Sequence, residues 1–376
     1  MKKRIFAVLS AICIFACGCS SKKLVKKKTK LADMTSTQIA QDINIGWNLG
    51  DTLDVCEADR DDDGIVNETA PAGEKVDETL WGNVRTTPEL FSYLKEDGIN
   101  AVRIPVTWRD HIGPAPDYTI DKEWLSRVHE VVDFAMNENM YVIINLHHDG
   151  GGDPNFGAWI RNASTDYEAV EKEYKAVWSQ IAESFSDYSE KLIFESMNEV
   201  GFDDLSKPEA YTTLNKLNQT FVDLIRASGD KNATRHLLIA GYWTDTAQTC
   251  SSLYKVPDDP SGRVMVSVHY YTPWQFCITN AQHTWGTDSD IQAMTDDVEK
   301  LKTTFVDKGI PVIIGEYGTR TENDHDSRVL YVKTLTKLCH DAGIPCFFWD
   351  NGEEYDREAH QWRTDGLLEA MKESVK

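Results

Sequence analysis

The chain reads as an α/β protein, a (β/α)8 TIM barrel in one catalytic domain. Three observations predict this. Eight short apolar runs of strand type alternate with longer stretches that keep helical spacing. The apolar runs are continuous rather than alternating, as in a parallel sheet covered on both faces. Polar and charged residues gather just past the ends of those runs, where a barrel keeps its working groups. An open doubly wound sheet is the competing architecture, but no G-x-G-x-x-G follows the first strand to favour it.

The elements fall in order. Met1-Lys2-Lys3-Arg4 is a basic start, and Ile5 to Ala16 is an apolar run too short to span a membrane. Ala16-Cys17-Gly18-Cys19-Ser20 follows. Residues 1–19 resemble a bacterial lipoprotein signal with Cys17 or Cys19 as the lipidated residue; an ordinary cleaved signal peptide is the alternative. Either way the protein is expected outside the cell, tethered to the envelope or secreted, touching membrane only through that anchor. Residues 20–35 form a basic tether, with six lysines and no acid over positions 22–30. The catalytic domain is expected over 36–376, as a monomer.

Within it, Asp42 to Gly50 is a first strand ending in a glycine-broken loop, followed by an acidic insert to about Val84. Thr87-Pro88 opens a helix that Gly98 closes. Asn100 to Val106 is the second strand. A helix with apolar Leu125, Val128, Val131, Val132 and Ala135 precedes the third, Tyr141 to Leu146. Helix 166–185 leads to the fourth strand, Leu192 onward to Glu199, and helix 208–228 to the fifth, His236 to Gly241. Arg263 to Tyr270, Val312 to Glu316 and Pro345 to Trp349 are strands six to eight. Helices over 290–308, 328–342 and 366–373 complete the pattern.

Composition narrows the function. The formal charge is −22, and beyond residue 30 the chain holds 30 Lys and Arg against 61 Asp and Glu. A body that acidic is unsuited to nucleic acid and suited to neutral or sugar substrates. Eleven Trp are more than a core needs. The cysteines beyond the signal are Cys56, Cys250, Cys277, Cys339 and Cys346, with no zinc-type spacing. Free buried thiols are the simpler reading; Cys250 and Cys277 follow neighbouring strands, so a disulfide between them is the alternative.

The strand ends carry the chemistry. They read Asn48, Arg103, His147-His148, Asn198-Glu199, His269-Tyr271, Glu316 and Trp349. Two glutamates at the ends of strands four and seven are what a retaining glycosidase needs: one to protonate the leaving oxygen, one to attack the anomeric carbon. The motifs Val102-Arg103-Ile104-Pro105-Val106, Asn145-Leu146-His147-His148-Asp149, Phe194-Glu195-Ser196-Met197-Asn198-Glu199, Val268-His269-Tyr270-Tyr271, Gly315-Glu316-Tyr317-Gly318 and Phe348-Trp349-Asp350-Asn351 stand in one order over about 40–370. In these the chain resembles glycoside hydrolase family 5, the cellulase family. Gly46-Trp47-Asn48-Leu49-Gly50, Glu78-Thr79-Leu80-Trp81-Gly82 and Tyr271-Thr272-Pro273-Trp274 resemble its subfamily 4, which holds endo-β-1,4-glucanases, xyloglucanases and lichenases.

The resemblance implies Glu199 as acid/base and Glu316 as nucleophile, acting on β-glucan without a cofactor. Asn48, Arg103, His147, His148, Asn198, His269, Tyr271, Trp274 and Trp349 are the substrate-side residues it carries with them. The chemistry of each agrees. Asn198 can bond the sugar 2-hydroxyl. Arg103 and Tyr271 can donate to Glu316 and keep it ionised. His269 can help cycle the proton of Glu199. Trp47, Trp274 and Trp349 can offer flat faces to sugar rings, whereas Trp178, in mid-helix, belongs to the core. Glu195 lies within its strand and is structural. The chain departs from the family in Asp51 after Leu49-Gly50 and in Val200-Gly201 after Glu199, where a proline is commoner.

Other chemistries fit less well. His147-His148-Asp149 alternate faces and cannot all hold one metal, so no metal is expected there. Asp59, Asp61, Asp63 and Gly64 have calcium-loop spacing, but Ala70 stands where the bidentate glutamate belongs; a solvated acidic loop is the simpler reading. A β-mannanase of the same fold is the alternative enzyme. A sugar-binding lipoprotein without activity is the alternative class, and it would need no paired glutamates.

Overall fold

Eight parallel strands close into a barrel in strict sequence order: β1 (Gly46–Leu49), β2 (Ala101–Ile104), β3 (Tyr141–Asn145), β4 (Leu192–Glu195), β5 (Leu237–Ala240), β6 (Val264–Tyr270), β7 (Val312–Tyr317) and β8 (Cys346–Asp350), with β8 pairing back to β1. The structure is a computed structural model and describes residues 30–59, 66, 68–150, 157–279 and 281–376. All eight strands lie where the apolar runs place them. Cys17 and Cys19 lie outside the described residues, as do Asp61 and Asp63 of the acidic insert. Ala58 and Glu68 exchange two backbone hydrogen bonds across the base of that insert, and Asp59 beside them is buried.

The outer ring is formed by α2 (Pro88–Glu96), α3 (Lys122–Asn137), α4 (Tyr167–Ser184), α5 (Lys207–Ala227), α8 (Asp288–Thr304), α9 (His325–Asp341) and α10 (Leu367–Ser374). Each buries the stripe its spacing predicts; α3 turns Val128, Val131, Val132 and Ala135 onto the barrel. Asp121 caps α3 by accepting from the amides of Glu123 and Trp124. Two single turns in loops, α6 (Thr246–Thr249) and α7 (Trp274–Cys277), and a hairpin of β9 (Tyr355–Asp356) with β10 (Gln361–Trp362) were not expected.

The tether boundary needs correction. Leu31–Asp33 is a 3-10 turn and Ser36–Asp42 is helix α1, so the ordered body begins before residue 36. Thr35 and Gln38 form a capping box, with Thr35 N donating to Gln38 Oε1 at 2.8 Å and Gln38 N to Thr35 Oγ1 at 3.2 Å. That signal stands in the sequence as Thr-x-x-Gln. Ile39 of α1 and Ile43 at its C-cap pack on Tyr141, Ile193, Leu238, Met265, Ile313 and Phe347, which point into the barrel near the strand starts. Helix α1 is thus the floor of the barrel, and burying these two isoleucines stabilises it by roughly 2–3 kcal/mol each. Ser36 Oγ and His236 Nδ1, 2.8 Å apart, fasten it from the side.

Above this apolar floor the inward positions turn polar. Asn48, Arg103, Asn145, Glu195 and Ser267 are all buried inside the barrel, two residues further along strands whose floor positions are apolar or glycine. Parity along β7 then breaks. Ile313 faces in and Ile314 out, so Gly315 faces in and Glu316 would face the helices. The register shifts between Val268 and His269, pairing Ile314 with Val268 but Glu316 with His269. This irregularity re-aims Glu316 into the barrel mouth. Gly315 makes room for it, since a Cβ there would sit 3.1 Å from Ser267 Oγ and 3.2 Å from His269 Nε2.

One further expectation is overturned. Trp47 is no sugar platform: it faces outward from β1, fully buried, with its ring against Tyr355 and the Arg357 guanidinium 5.6 Å away. The cysteines follow the simpler reading: Cys250 and Cys277 are free thiols, as are Cys56, Cys339 and Cys346. No helix among the described residues is long and apolar enough to cross a membrane.

Candidate active site

The fourth strand delivers Glu199 through a pinned turn. Ser196 faces outward, donating to Asn218 Oδ1 at 2.8 Å and accepting from Ala240 N at 3.0 Å. Asn198 N then donates to Leu146 O at 2.9 Å, tying the turn to the end of β3. Beyond it Glu199 stands at the mouth, its side chain 41% exposed. Glu316, delivered by the irregularity in β7, is only 7% exposed. A carboxylate oxygen of each and a ring nitrogen of His269 all lie within 4.8 Å of one another.

The two carboxyl groups have different partners. Arg103 Nη1 donates to Glu316 Oε1 at 2.7 Å and Tyr271 Oη to Oε2 at 3.0 Å. Glu199 Oε1 meets His269 Nδ1 at 2.7 Å. Burial pushes the Glu316 carboxyl up from the ordinary range and the charge of Glu199 adds to this, while His269 and Arg103 pull it down. Tyr271 is held well above the usual phenol value, by burial and then by the charges of Glu316 and Glu199, so it stays a donor throughout.

Arg103 is the hub behind the pair. Besides Glu316 it donates from Nε to Glu195 at 2.7 Å, from Nη1 to Asn48 Oδ1 at 3.0 Å and from Nη2 to Asn198 Oδ1 at 2.9 Å. Glu195 also accepts from Asn145 Nδ2 at 3.0 Å and Ser267 Oγ at 2.6 Å. A buried charge is tolerable only in such company. This corrects two expectations. Asn48 and Arg103 are fully buried, and Asn48 also donates to Gly315 O at 2.9 Å, so neither reaches sugar. Both hold the carboxylate and Asn198 from behind. Glu195 is structural, as expected, but its work is to orient Arg103. Asn145 and Ser267 escaped the sequence reading; their signal is a polar residue interrupting an otherwise apolar buried strand.

The wall beyond is aromatic. His147 is buried and lies parallel to the Trp349 ring, with centroids 5.9 Å apart. Gly50 seats Trp349, because a Cβ there would fall 2.6 Å from Cζ2. Burial, then the charges of His148, Arg103 and His269, hold His147 well below its ordinary value, so it is neutral. Asn145 Oδ1 accepts from Val106 N at 3.1 Å, which leaves Nδ2 to face His147 Nδ1 at 3.2 Å. Nδ1 therefore accepts and Nε2 carries the proton. Asp54 lies with His147 and His148 in a group that could surround a metal; His147 could join it through Nε2 only by giving up that proton. Asp149 is turned away, accepting from Trp108 N and Trp159 Nε1 at 2.8 Å each. His148 is half-buried beside Trp81. Trp274 stands on the rim past β6, 57% exposed.

A barrel with one dry, ion-paired glutamate and one open, histidine-partnered glutamate this close together is a glycoside hydrolase of the double-displacement type. Comparison with known proteins places it further. The family model described as cellulase (glycosyl hydrolase family 5) matches residues 66–355, and the chain belongs to that family. Endoglucanase B of Clostridium cellulovorans is 38% identical over 335 residues, covering 86% of this chain and 70% of that one. A broad-specificity subfamily 4 endoglucanase from Ruminococcus champanellensis, solved with cellotriose, superposes with a TM-score of 0.81 at 34% identity, covering 91% of this chain and 99% of that one. A tri-modular subfamily 4 endo-β-1,4-glucanase from Bacillus licheniformis, solved with cellotetraose, gives 0.79 at 33% identity, and this chain spans 60% of its length.

Proposed function

We propose that the protein is a retaining endo-β-1,4-glucanase that cuts internal bonds of cellulose-type glucans, mixed-linkage glucan and xyloglucan. The observation that carries this is the close, unequal carboxylate pair. Retaining enzymes hold their carboxyl groups about 5 Å apart, whereas inverters leave roughly 6.5–9.5 Å for a water. The dry Glu316 attacks C1 while Glu199, open to the leaving sugar, gives its proton to the departing oxygen. The resulting ester is then cut by water, which attacks C1 and yields a proton to Glu199 as Glu316 leaves. Asn198 Oδ1 is taken by Arg103, so its Nδ2 is free to donate to the sugar 2-hydroxyl, a bond that strengthens in the transition state.

Cello-oligosaccharides bound to solved relatives support a β-1,4-glucan substrate, and the rim aromatics Trp274 and Trp349 suit equatorial glucose rings. The signal-like start supports export and attachment through a lipid on Cys17 or Cys19, with the enzyme working as a monomer. Two measurements test the reading. NMR of the first product from a β-glucan should show the β-anomer; α first would mean inversion. The ratio of kcat/KM values should favour glucans over linear mannan; mannan cleaved tenfold faster than every glucan would make the enzyme a mannanase.

A further inference from the structure

Two thiols that catalysis does not use meet where α9 hands the chain to β8. Cys339 lies in the last turn of α9 and Cys346 opens β8. The connection between them is closed by its own hydrogen bonds. Ile344 N donates to Cys339 O at 2.8 Å and Gly343 N to His340 O at 3.0 Å, with Gly343 in the left-handed conformation at φ 74°. That pair of bonds is the Schellman end of a helix, and it folds the chain straight back along α9. The fold-back brings the Cys346 thiol into hydrogen-bond contact with the Cys339 thiol, while Cys346 Sγ lies 3.8 Å from Ile344 O. The other cysteines near these helices have different partners: Cys277 meets the Tyr331 hydroxyl, and Cys250 Sγ lies 3.9 Å from Lys300 O.

The two thiols differ in access. Cys339 is fully buried. Cys346 lines a cavity of about 350 Å³ under the barrel, walled by Ile43, Thr336 and Met371, with exposed Asn44 and His340 at its rim. A reagent entering from below meets Cys346 first and finds Cys339 behind it. The position also bears on the site. Cys346 pairs with Ile314 and Phe348 with Tyr317, so three steps along β7 answer two along β8. The surplus residue belongs to the slip that turns Glu316 inward, and Cys346 is the β8 residue at the foot of that slip.

We infer that Cys339 and Cys346 are a modification site, a thiol pair that a small organic disulfide converts to an intrachain disulfide, clamping α9 to β8 at the foot of the slip. The Cys346 thiolate attacks one sulfur of the reagent; a mixed disulfide forms and one reagent thiolate leaves. The Cys339 thiolate then attacks Cys346 Sγ; the intrachain bond forms and the second reagent thiolate leaves. The pair gives up two protons and two electrons, and the reagent takes both as two thiols. Burial, then the contact with Cys339, holds the Cys346 thiol well above its ordinary value, so the first step is slow and favours alkaline solution. The second is fast, because the two groups already touch. Disulfides persist outside cells, where the proposed export would take the chain.

Mass mapping tests this on the folded, full-length protein. It is incubated with 2-hydroxyethyl disulfide at about pH 8.5, near the ordinary thiol value, then alkylated and digested with trypsin. Both cysteines fall on one tryptic peptide, 338–357. That peptide should refuse alkylation and be lighter by two hydrogens than its reduced form. The melting midpoint should rise by roughly 2–4 °C and return with dithiothreitol, as expected for closing a short loop in a chain of this size. Cys339→Ser should stop at the mixed disulfide, holding the reagent thiol on Cys346. A wild-type peptide that still takes an alkyl group on each cysteine overturns the inference. So does a disulfide that forms while the midpoint stays or falls, because such a bond clamps nothing.

Discussion

Removing one oxygen atom tests how Glu316 is kept ready. Tyr271→Phe deletes the hydroxyl that donates to Glu316 Oε2 at 3.0 Å and leaves the ring and the Arg103 bond at 2.7 Å in place. A hydrogen bond to a charged group contributes about 1.5–3 kcal/mol. The Tyr271 ring is partly exposed, so water can take the vacated place and the net loss should be nearer 1–2 kcal/mol. The lost donor stabilised the ionised form, so the Glu316 pKa must rise, by about one unit at roughly 1.4 kcal/mol per unit. Burial already holds that carboxyl above the ordinary range, and the substitution pushes it further. In a profile of kcat/KM against pH, the acid limb should move up by about one unit and the alkaline limb should stay, because Glu199 keeps its bond to His269. The stability read from urea melts should fall by no more than those roughly 1–2 kcal/mol, since the packing ring remains. An acid limb that stays or moves down would falsify the view that Tyr271 holds the nucleophile ionised.

The other predictions are brief. Glu316→Ala should be inactive on every substrate, whereas Glu199→Ala should keep activity on activated aryl cellobiosides and be accelerated by azide; equal inactivity on activated and natural substrates would reverse the assignment. His236 is buried and, chiefly by that burial and then by Arg263, Arg226 and Arg235, depressed to about 3. A depressed histidine contributes stability that is full above its unfolded value near 6.5 and is lost as pH falls toward 3, so His236→Gln should flatten the acid limb of stability by up to about 1.4 kcal/mol per pH unit between roughly pH 4 and 6. Urea melts that run parallel for both proteins would refute it. Changing Cys17 and Cys19 together to Ser should release the protein from the membrane fraction of a bacterial host; a wild type already soluble there would rule out the anchor.

The barrel was legible because strands covered on both faces must be apolar throughout, and the carboxylates because they interrupt that rule at strand ends. Side-chain direction was not legible. Trp47 and Asn48 are neighbours and face opposite sides of β1, so the sequence offered both to the sugar and the fold gave it neither. Glu316 points inward only because the register slips beside Gly315, and no residue pattern announces a slip of one. The polar layer under the mouth was hidden for a related reason. Asn145, Glu195 and Ser267 sit on different strands, and only closure of the barrel shows that they serve one arginine.

The floor of the barrel also decides which way the enzyme looks. Helix α1 plugs the end opposite the mouth, and Arg263 Nη2 holds the carbonyl of Ala32 at 2.7 Å as the chain arrives there. Whatever grips the residues upstream therefore grips the barrel from beneath. If Cys17 or Cys19 carries a lipid, a pull from the membrane reaches the base and leaves the carboxylates facing outward, and an enzyme held this way could graze a polymer too large to come any closer.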